Sequence, residues 1–381
     1  MTYPCYIPAR KLLDLSAHRT FLLRRSIRSI NLYISFEESY ENTKNSYTNL
    51  DIAKFICALL VVVIHTDPLA DVAKEMNFFL VNILARVAVP LFFVMSGFFL
   101  FGPMQYENGR LSACTENINR TIRYWKKIAA LYGGWSLVYL LVIKIPMWYA
   151  TGWWGLHVIK DAVVSILFVG THYHLWYLLA LLYAVPLLFL LQRILHRKTL
   201  IFVAALLWVF ECLRYSYAWL GADRIASLRW IAPRMPIVLD SLFRALPLML
   251  FGANVARSEE HQRGKMLGIL ALLGFALCTA EVYALRSLTP NGQNFSYLIF
   301  TPFMAISILR FLCDAEQVPI DRKWASLLRD MSTNIYCLHP MLIELLIKHE
   351  FTGYKLWAMT TLLSVAIAWL VISGRKYLKR N

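Results

Sequence analysis

The chain has 381 residues, of which 59% are hydrophobic and only 16% charged, and its formal net charge is +16. Soluble domains average about 25% charged residues, and apolar runs of about 20 residues recur along most of this chain, the pattern of transmembrane helices; an ordinary soluble enzyme is excluded. Nucleic acid is not an expected partner, because Lys and Arg sit in the connections between apolar runs, where the positive-inside bias puts them.

Residues 1–48 are basic and mixed, with Arg10, Lys11, Arg19, Arg24, Arg25 and Arg28 set among Leu12, Leu13, Leu15, Phe21, Leu22 and Leu23. They read as a cytoplasmic tail, either poorly ordered or an interfacial helix on the anionic leaflet. No small-residue cleavage site precedes the first apolar run, so no cleavable signal peptide is expected. Residues 49–375 read as a transmembrane domain and 376–381 as a basic cytoplasmic tail.

Spans are expected near 52–69, 77–101, 125–147, 172–192, 199–219, 236–256, 266–286, 296–314, 331–349 and 354–374. The stretch 157–170 is short, carries Lys160 and Asp161, and lies between Trp153-Trp154 and Tyr173/Trp176/Tyr177. If it crossed, the basic connection Arg193 to Lys198 would land outside; if it lies in the interface or re-enters, both termini and most of the connecting Lys and Arg are cytoplasmic. The second arrangement predicts an all-α polytopic bundle of about ten spans, multi-pass in the cell membrane. It leaves Arg224, Arg229 and Arg234 outside, where an anionic acceptor is one reason for them.

Ionisable residues inside spans need a polar cavity or a counter-charge. In the first span Lys54 and His65 are eleven residues apart, about three turns and ~16 Å, within about 20° of one helix face. Lys54 is either a lysine reaching the interface or an anion anchor; His65 is either a hydrogen-bonded structural histidine or a reactive one. Arg86 lies near mid-depth in the second span without an acid beside it, so its guanidinium must find a carboxylate on another helix or a ligand anion. Asp240 and Arg244 stand one turn apart and can pair, as can Glu211 and Arg214; Glu281 and Glu344 stay open. His172-Tyr173-His174-Leu175-Trp176-Tyr177 opens the fourth span with two histidines beyond an ordinary aromatic belt. Ser332-Thr333-Asn334-Ile335-Tyr336-Cys337-Leu338-His339-Pro340 places a histidine before a proline that opens the helix backbone.

The seven cysteines are scattered without a Cys-x-x-Cys pair, so neither a zinc site nor a disulfide framework is indicated, and no metal is expected. No phosphate-binding loop, Gly-x-Ser-x-Gly elbow or His-Glu-x-x-His stands in the sequence, and the sequons at Asn119 and Asn294 carry no argument.

Four segments together resemble the integral-membrane acyltransferase 3 family: Leu50-Asp51-Ile52-Ala53-Lys54 with His65; Arg86-Val87-Ala88-Val89-Pro90-Leu91-Phe92-Phe93-Val94-Met95-Ser96-Gly97-Phe98; His174-Leu175-Trp176-Tyr177-Leu178; and Ile335-Tyr336-Cys337-Leu338-His339-Pro340. The chain is also similar to the membrane half of the vancomycin-resistance serine racemases. One departure is that the family usually has Arg where this chain has Lys54; lysine keeps the charge but loses the bidentate fork.

The resemblance implies an O-acyltransferase taking acyl-CoA, most often acetyl-CoA, as a cytoplasmic co-substrate rather than a bound cofactor. Its acceptor would be a carbohydrate or other hydroxyl-bearing molecule outside, such as a surface polysaccharide or its lipid-linked precursor. His65 would be the general base, or carry the acyl group transiently. Lys54 and Arg86 would bind the donor, Arg86 alternatively serving the developing oxyanion. His174, Trp176 and Tyr177 would line the acceptor side, and Tyr336 and His339 would support the site. The rival reading is an amino-acid or small-solute transporter-like module, against which stands the lack of an inverted repeat. Oligomeric state is not legible.

Overall fold

The computed structural model describes residues 47–153, 155–220, 237–258, 264–288 and 295–380. The basic stretch 1–46, the connection carrying Arg224, Arg229 and Arg234, and Asn294 lie outside the described residues. The described chain is helical apart from one small hairpin, as the apolar runs predict, because in lipid a helix satisfies every backbone group within its own segment.

The elements in order are α1 (Thr48–Thr66), α2 (Lys74–Phe101), a hairpin of β1 (Tyr106–Glu107) and β2 (Arg110–Leu111), α3 (Thr115–Ala150), α4 (Leu156–Val164), α5 (Trp176–Ile194), α6 (Arg197–Arg214), α7 (Ile237–Val255), α8 (Gly264–Leu288), α9 (Thr301–Asp314), α10 (Arg322–Lys348) and α11 (Gly353–Arg380). In the hairpin, Tyr106 faces Leu111 and Glu107 faces Arg110 in antiparallel register.

Seven helices among the described residues are long and apolar enough to cross a membrane: α1, α2, α3, α5, α7, α8 and α11. Ten spans were expected. The other three expected segments are helical too and stand outside these seven. α9 has 14 residues, short of the ~20 that a crossing uses. α6 carries Arg197, Lys198, Glu211 and Arg214, and α10 runs back to Arg322 through Arg329 and Asp330. The ambiguous stretch 157–170 forms α4 followed by a π-turn over Ser165–Val169, also short of a crossing length. It stops at Gly170, whose φ of 97° suits only glycine.

The chain divides into two compact units. Among the described residues, the smaller comprises 122–182. In it the Tyr132 hydroxyl donates to the Ile166 carbonyl at 2.5 Å and Thr171 Oγ1 to Ser136 Oγ at 2.7 Å. Lys144 Nζ and Trp148 Nε1 both donate to Asp161 Oδ2, at 3.1 and 3.0 Å. Asp161 thus ties α4 back to α3.

The larger unit holds 47–121 and the described residues of 183–380. α1, α10 and α11 pack around Ala58, Val62, Met331, Ile335, Ala368 and Ile372. A second cluster joins α10 to α11 through Ile343, Leu346 and Leu356, and a third joins α1 to α2 through Val63, Val81 and Ala85. α2 and α7 cross at glycines of both: a Cβ on Gly97 would lie 1.8 Å from the Met249 carbonyl oxygen, and one on Gly252 1.8 Å from that of Val94. Small residues are what let membrane helices approach at backbone distance. Asn49 ties the start of α1 to the end of α9, donating to the Leu312 and Glu316 carbonyls and accepting from Val318 N. All six described cysteines are free thiols.

Candidate active site

α1 holds regular helix from Thr48 to Thr66, so Lys54 and His65 keep the face and the ~16 Å separation that their spacing dictates. The helix ends where Asp67 turns to a φ of 45° and Pro68 follows. The Asp67 carboxylate accepts from Asn77 Nδ2 at 3.1 Å, and Asn77 Oδ1 accepts from Leu69 N at 3.0 Å, closing the α1–α2 turn.

At the C-terminal end of α1 the His65 ring stacks on His339 of α10, with centroids 5.5 Å apart and planes 22° from parallel. His339 is fully buried. Its Nδ1 lies 3.0 Å from the Ile335 carbonyl, and since a carbonyl only accepts, Nδ1 carries the proton and the lone pair of the neutral ring is on Nε2. Pro340 has no N–H to give to the Tyr336 carbonyl, so the backbone is opened beside the imidazoles. Tyr336 packs edge-on against Phe92 and lies 6.2 Å from the His339 ring. The fold thus joins His65, Tyr336 and His339, which stand far apart in sequence.

At the other end of α1, Lys54 Nζ lies 3.5 Å from Asp51 Oδ1 and 4.2 Å from the centre of the Phe99 ring. Asp51 also receives Arg329 of α10, Nη1 to Oδ2 at 3.6 Å. Two cations therefore share one carboxylate. Arg329 escapes sequence reasoning because it flanks an apolar run and looks like an ordinary basic end. The available signal was Arg329-Asp330 continuing into the polar Ser332-Thr333-Asn334, which keeps one helix face polar through the segment.

Arg86 sits where α2 is irregular: a π-turn over Leu80–Leu84 runs into a 3₁₀-turn over Ala85–Val87. Such interruptions re-aim a side chain and concentrate at functional sites. Val81 and Ala85 pack on Val63, with Leu60 and Ile64 beside them, so Arg86 lies between the levels of Lys54 and His65. Its Nη1 donates to Ser296 Oγ at 3.0 Å, and its Nε has no hydrogen-bond partner among the described residues.

Glu211, Arg214, Asp240, Arg244 and Glu281 of this unit are held by neighbouring side chains and backbone. Arg214 Nη1 bonds Glu211 Oε1 at 2.8 Å, the expected pair, and reaches Asp240 Oδ1 at 2.7 Å. Tyr215 also donates to Asp240. Arg244, one turn from Asp240, has its guanidinium 4.0 Å over the Tyr297 ring. Glu281 accepts from Tyr217, Ile299 N and Phe300 N at 2.6, 2.6 and 3.1 Å.

His174, Trp176 and Tyr177 belong to the smaller unit. Tyr139 is fully buried, stacks on His172 at 4.5 Å and meets His174 edge-on at 5.0 Å. His172 Nδ1 and His174 Nδ1 are 3.2 Å apart, so one donates and the other accepts. Trp176 and Tyr177 open α5, half-buried, with their rings perpendicular. Tyr139 was not among the expected site residues; it lies mid-run in an apolar segment, with nothing local to distinguish it.

Comparison with known proteins agrees with the four segments. Residues 47–374 match the acyltransferase 3 model, described as an acyltransferase domain. The chain belongs to this family of multi-helix membrane proteins. It is 34% identical over 350 residues to an amino-acid racemase of Enterococcus faecalis, covering 88% of this chain and 47% of that protein. A second amino-acid racemase of that organism is 24% identical over 318 residues, covering 82% and 43%. A serine/alanine racemase of Enterococcus gallinarum is 31% identical over 134 residues. The chain spans about half the length of the first two relatives. No solved structure matches it.

Proposed function

We propose that this protein moves an acyl group, acetyl in the simplest case, from cytoplasmic acyl-CoA to a hydroxyl of an acceptor on the other side of the membrane. The acceptor would be a carbohydrate or its lipid-linked precursor. The observation that carries this reading is the single helix α1 with a cation cluster at one end and a stacked imidazole pair at the other. The pantetheine arm is comparable in length to that separation.

Lys54 and Arg329 would hold the donor's phosphates in place of Asp51, with Arg329 supplying the guanidinium fork that a lysine lacks. Arg86, between the two levels, is the donor's third cation. The thioester then lies beside His65, and an imidazole, which can both accept and return a proton, suits a general base. His65 takes the acceptor proton while the acceptor oxygen bonds to the carbonyl carbon. The C–S bond then breaks, and the thiolate leaves with that proton. His339, stacked on His65, fixes the ring plane. His174, Trp176 and Tyr177 are assigned to the acceptor.

The test is transfer of labelled acetyl from acetyl-CoA into the carbohydrate and lipid fractions of membranes carrying the wild type or His65→Ala. Loss of transfer with normal membrane insertion supports the reading; undiminished transfer overturns it. A second reading, a small-solute transporter-like module, is favoured by the relatives' names, since the racemases act on amino acids. Uptake of labelled serine or alanine into vesicles that His65→Ala leaves intact would favour it.

A further inference from the structure

The buried face of α11 runs Leu356, Thr360, Ser364, Ala368 and Ile372, one residue per turn. Its two ends are apolar and accounted for. Leu356 packs with Ile343 and Leu346, and Ala368 and Ile372 pack with Ala58, Val62, Met331 and Ile335. α11 therefore runs antiparallel to α10 and beside α1, and the contacts fix the register between them. On α10, His339 is midway between Ile335 and Ile343; on α1, His65 is about one turn beyond Val62. Ser364 falls at that same level, and Thr360 stands a turn, about 6 Å, nearer the α10–α11 connection.

Both side chains have zero solvent exposure, and neither hydroxyl has a hydrogen-bond partner among the described residues; the same holds for Thr361 Oγ1. A buried helical hydroxyl normally bonds the carbonyl four residues back. Thr66, Thr121 and Thr279 do so in this chain, at 2.9, 2.9 and 2.8 Å. Leaving a buried donor unmade costs its full desolvation with no return. Two such groups on one face, level with two imidazoles and flanked on each side by apolar packing, point to something polar that they are kept for.

Resting on the acyl-transfer reading, we propose that Ser364 and Thr360 donate hydrogen bonds to the carbonyl oxygen of the acyl group at the His65–His339 pair. When the acceptor oxygen bonds to the carbonyl carbon, the C=O π electrons move onto that oxygen, and the two O–H donors meet the charge there. When the C–S bond breaks, those electrons return and the thiolate departs with the proton taken by His65. Side-chain hydroxyls are the donors a helix can offer at this depth, because its backbone N–H groups are committed to the ladder.

The experiment uses the full-length protein in native membranes, with acetyl-CoA turnover read as release of free CoA thiol. Ser364→Ala and Thr360→Val should each lower turnover about 10²-fold, the loss typical of one oxyanion donor. The KM for acetyl-CoA should stay within about twofold. The melting midpoint should hold or rise, because a hydroxyl without a hydrogen bond contributes nothing to the fold, and Ser364→Thr should retain turnover. Wild-type turnover in both truncations overturns the proposal.

Should a truncation not fold, Ser364→Cys in a background without the native cysteines replaces it. A small neutral thiol reagent should modify it, acetyl-CoA should slow that reaction, and Ala368→Cys one turn away should stay unmodified. An unreactive Ser364→Cys, or one indifferent to acetyl-CoA, overturns the proposal. Wild-type protein that neither binds nor turns over acetyl-CoA takes down the acyl-transfer reading and this inference with it, a result distinct from failure at Ser364 alone.

Discussion

Each unit of the molecule contains a pair of histidines, built in opposite ways. His172 and His174 are neighbours in sequence, brought Nδ1 to Nδ1 by a turn and covered by the Tyr139 ring. Each engages a ring nitrogen of the other, and Tyr139 of α3 packs on both rings. His65 and His339 come from the first and tenth helices and meet face to face at 5.5 Å. Their mutual contact uses the ring faces, and His339 Nδ1 donates to the Ile335 carbonyl of its own helix. A pair joined through its ring nitrogens positions a loop; a pair joined through its ring faces, with His339 Nδ1 held by the Ile335 carbonyl, fixes the plane of an imidazole. Local sequence makes the first kind, and only tertiary packing makes the second.

Mutations that treat the two pairs alike test this contrast most severely. His65→Ala should lower acetyl transfer by about 10²–10⁴-fold, the range of a lost general base, whereas His174→Ala should leave acetyl-CoA turnover in the absence of acceptor largely intact. Membrane preparations assayed for CoA release would show it, and equal losses with both proteins inserted would erase the distinction. Next in size is the donor end of α1. Lys54→Ala and Arg329→Ala should each raise the KM for acyl-CoA by about 10–100-fold, the equivalent of one charge-assisted hydrogen bond. Lys54→Arg should preserve or improve it. If a binding titration finds Lys54→Ala unchanged, the lysine merely reaches the interface.

A smaller effect is expected in the His172–His174 pair. Tyr139→Leu removes a buried ring from His172 and should cost about 1–3 kcal/mol of stability. Thermal unfolding in detergent would read this, with the donor KM unmoved; a shifted KM would mean that the smaller unit takes part in donor binding. The last measurement perturbs least. Tyr149→Cys and Arg193→Cys, both at exposed positions, would be probed with an impermeant thiol reagent in intact cells lacking other reactive cysteines in the protein. Label on Tyr149→Cys alone fits the expected topology, with residue 149 outside and residue 193 inside. Label on Arg193→Cys would invert the arrangement on which the donor assignment rests.

What the sequence makes legible follows its periodicities. Lys54 and His65 lie on one regular helix, so eleven residues of spacing were enough to put them on one face. Arg86 was visible as a charge in an apolar run, but the π- and 3₁₀-turns that aim it were not. Leu80–Leu84 contains no glycine or proline, and the nearest local cue is Pro90, which has no N–H to give to the Arg86 carbonyl. α10 was placed as a span from residue 331, yet its helix begins at Arg322. Arg329, Asp330 and Asn334 lower its hydropathy for the same reason that they matter: they lie buried or half-buried against protein. Arg329 and Ser364 were hidden oppositely, one as an ordinary basic flank and the other inside an ordinary apolar run. In both cases the meaning lies in what another helix brings alongside.

The reciprocal glycines at the α2–α7 crossing have a mechanical consequence. With Met249 and Val94 carbonyls where side chains would otherwise stand, the two helices have no compressible layer between them and behave as one rigid plank. Arg86 on α2 is fastened to that plank, whereas Lys54 and His65 ride on α1 against α10 and α11. A Cβ at Gly97 would meet the Met249 carbonyl, so Gly97→Ala would force α2 from α7 and shift Arg86 without touching any reacting atom.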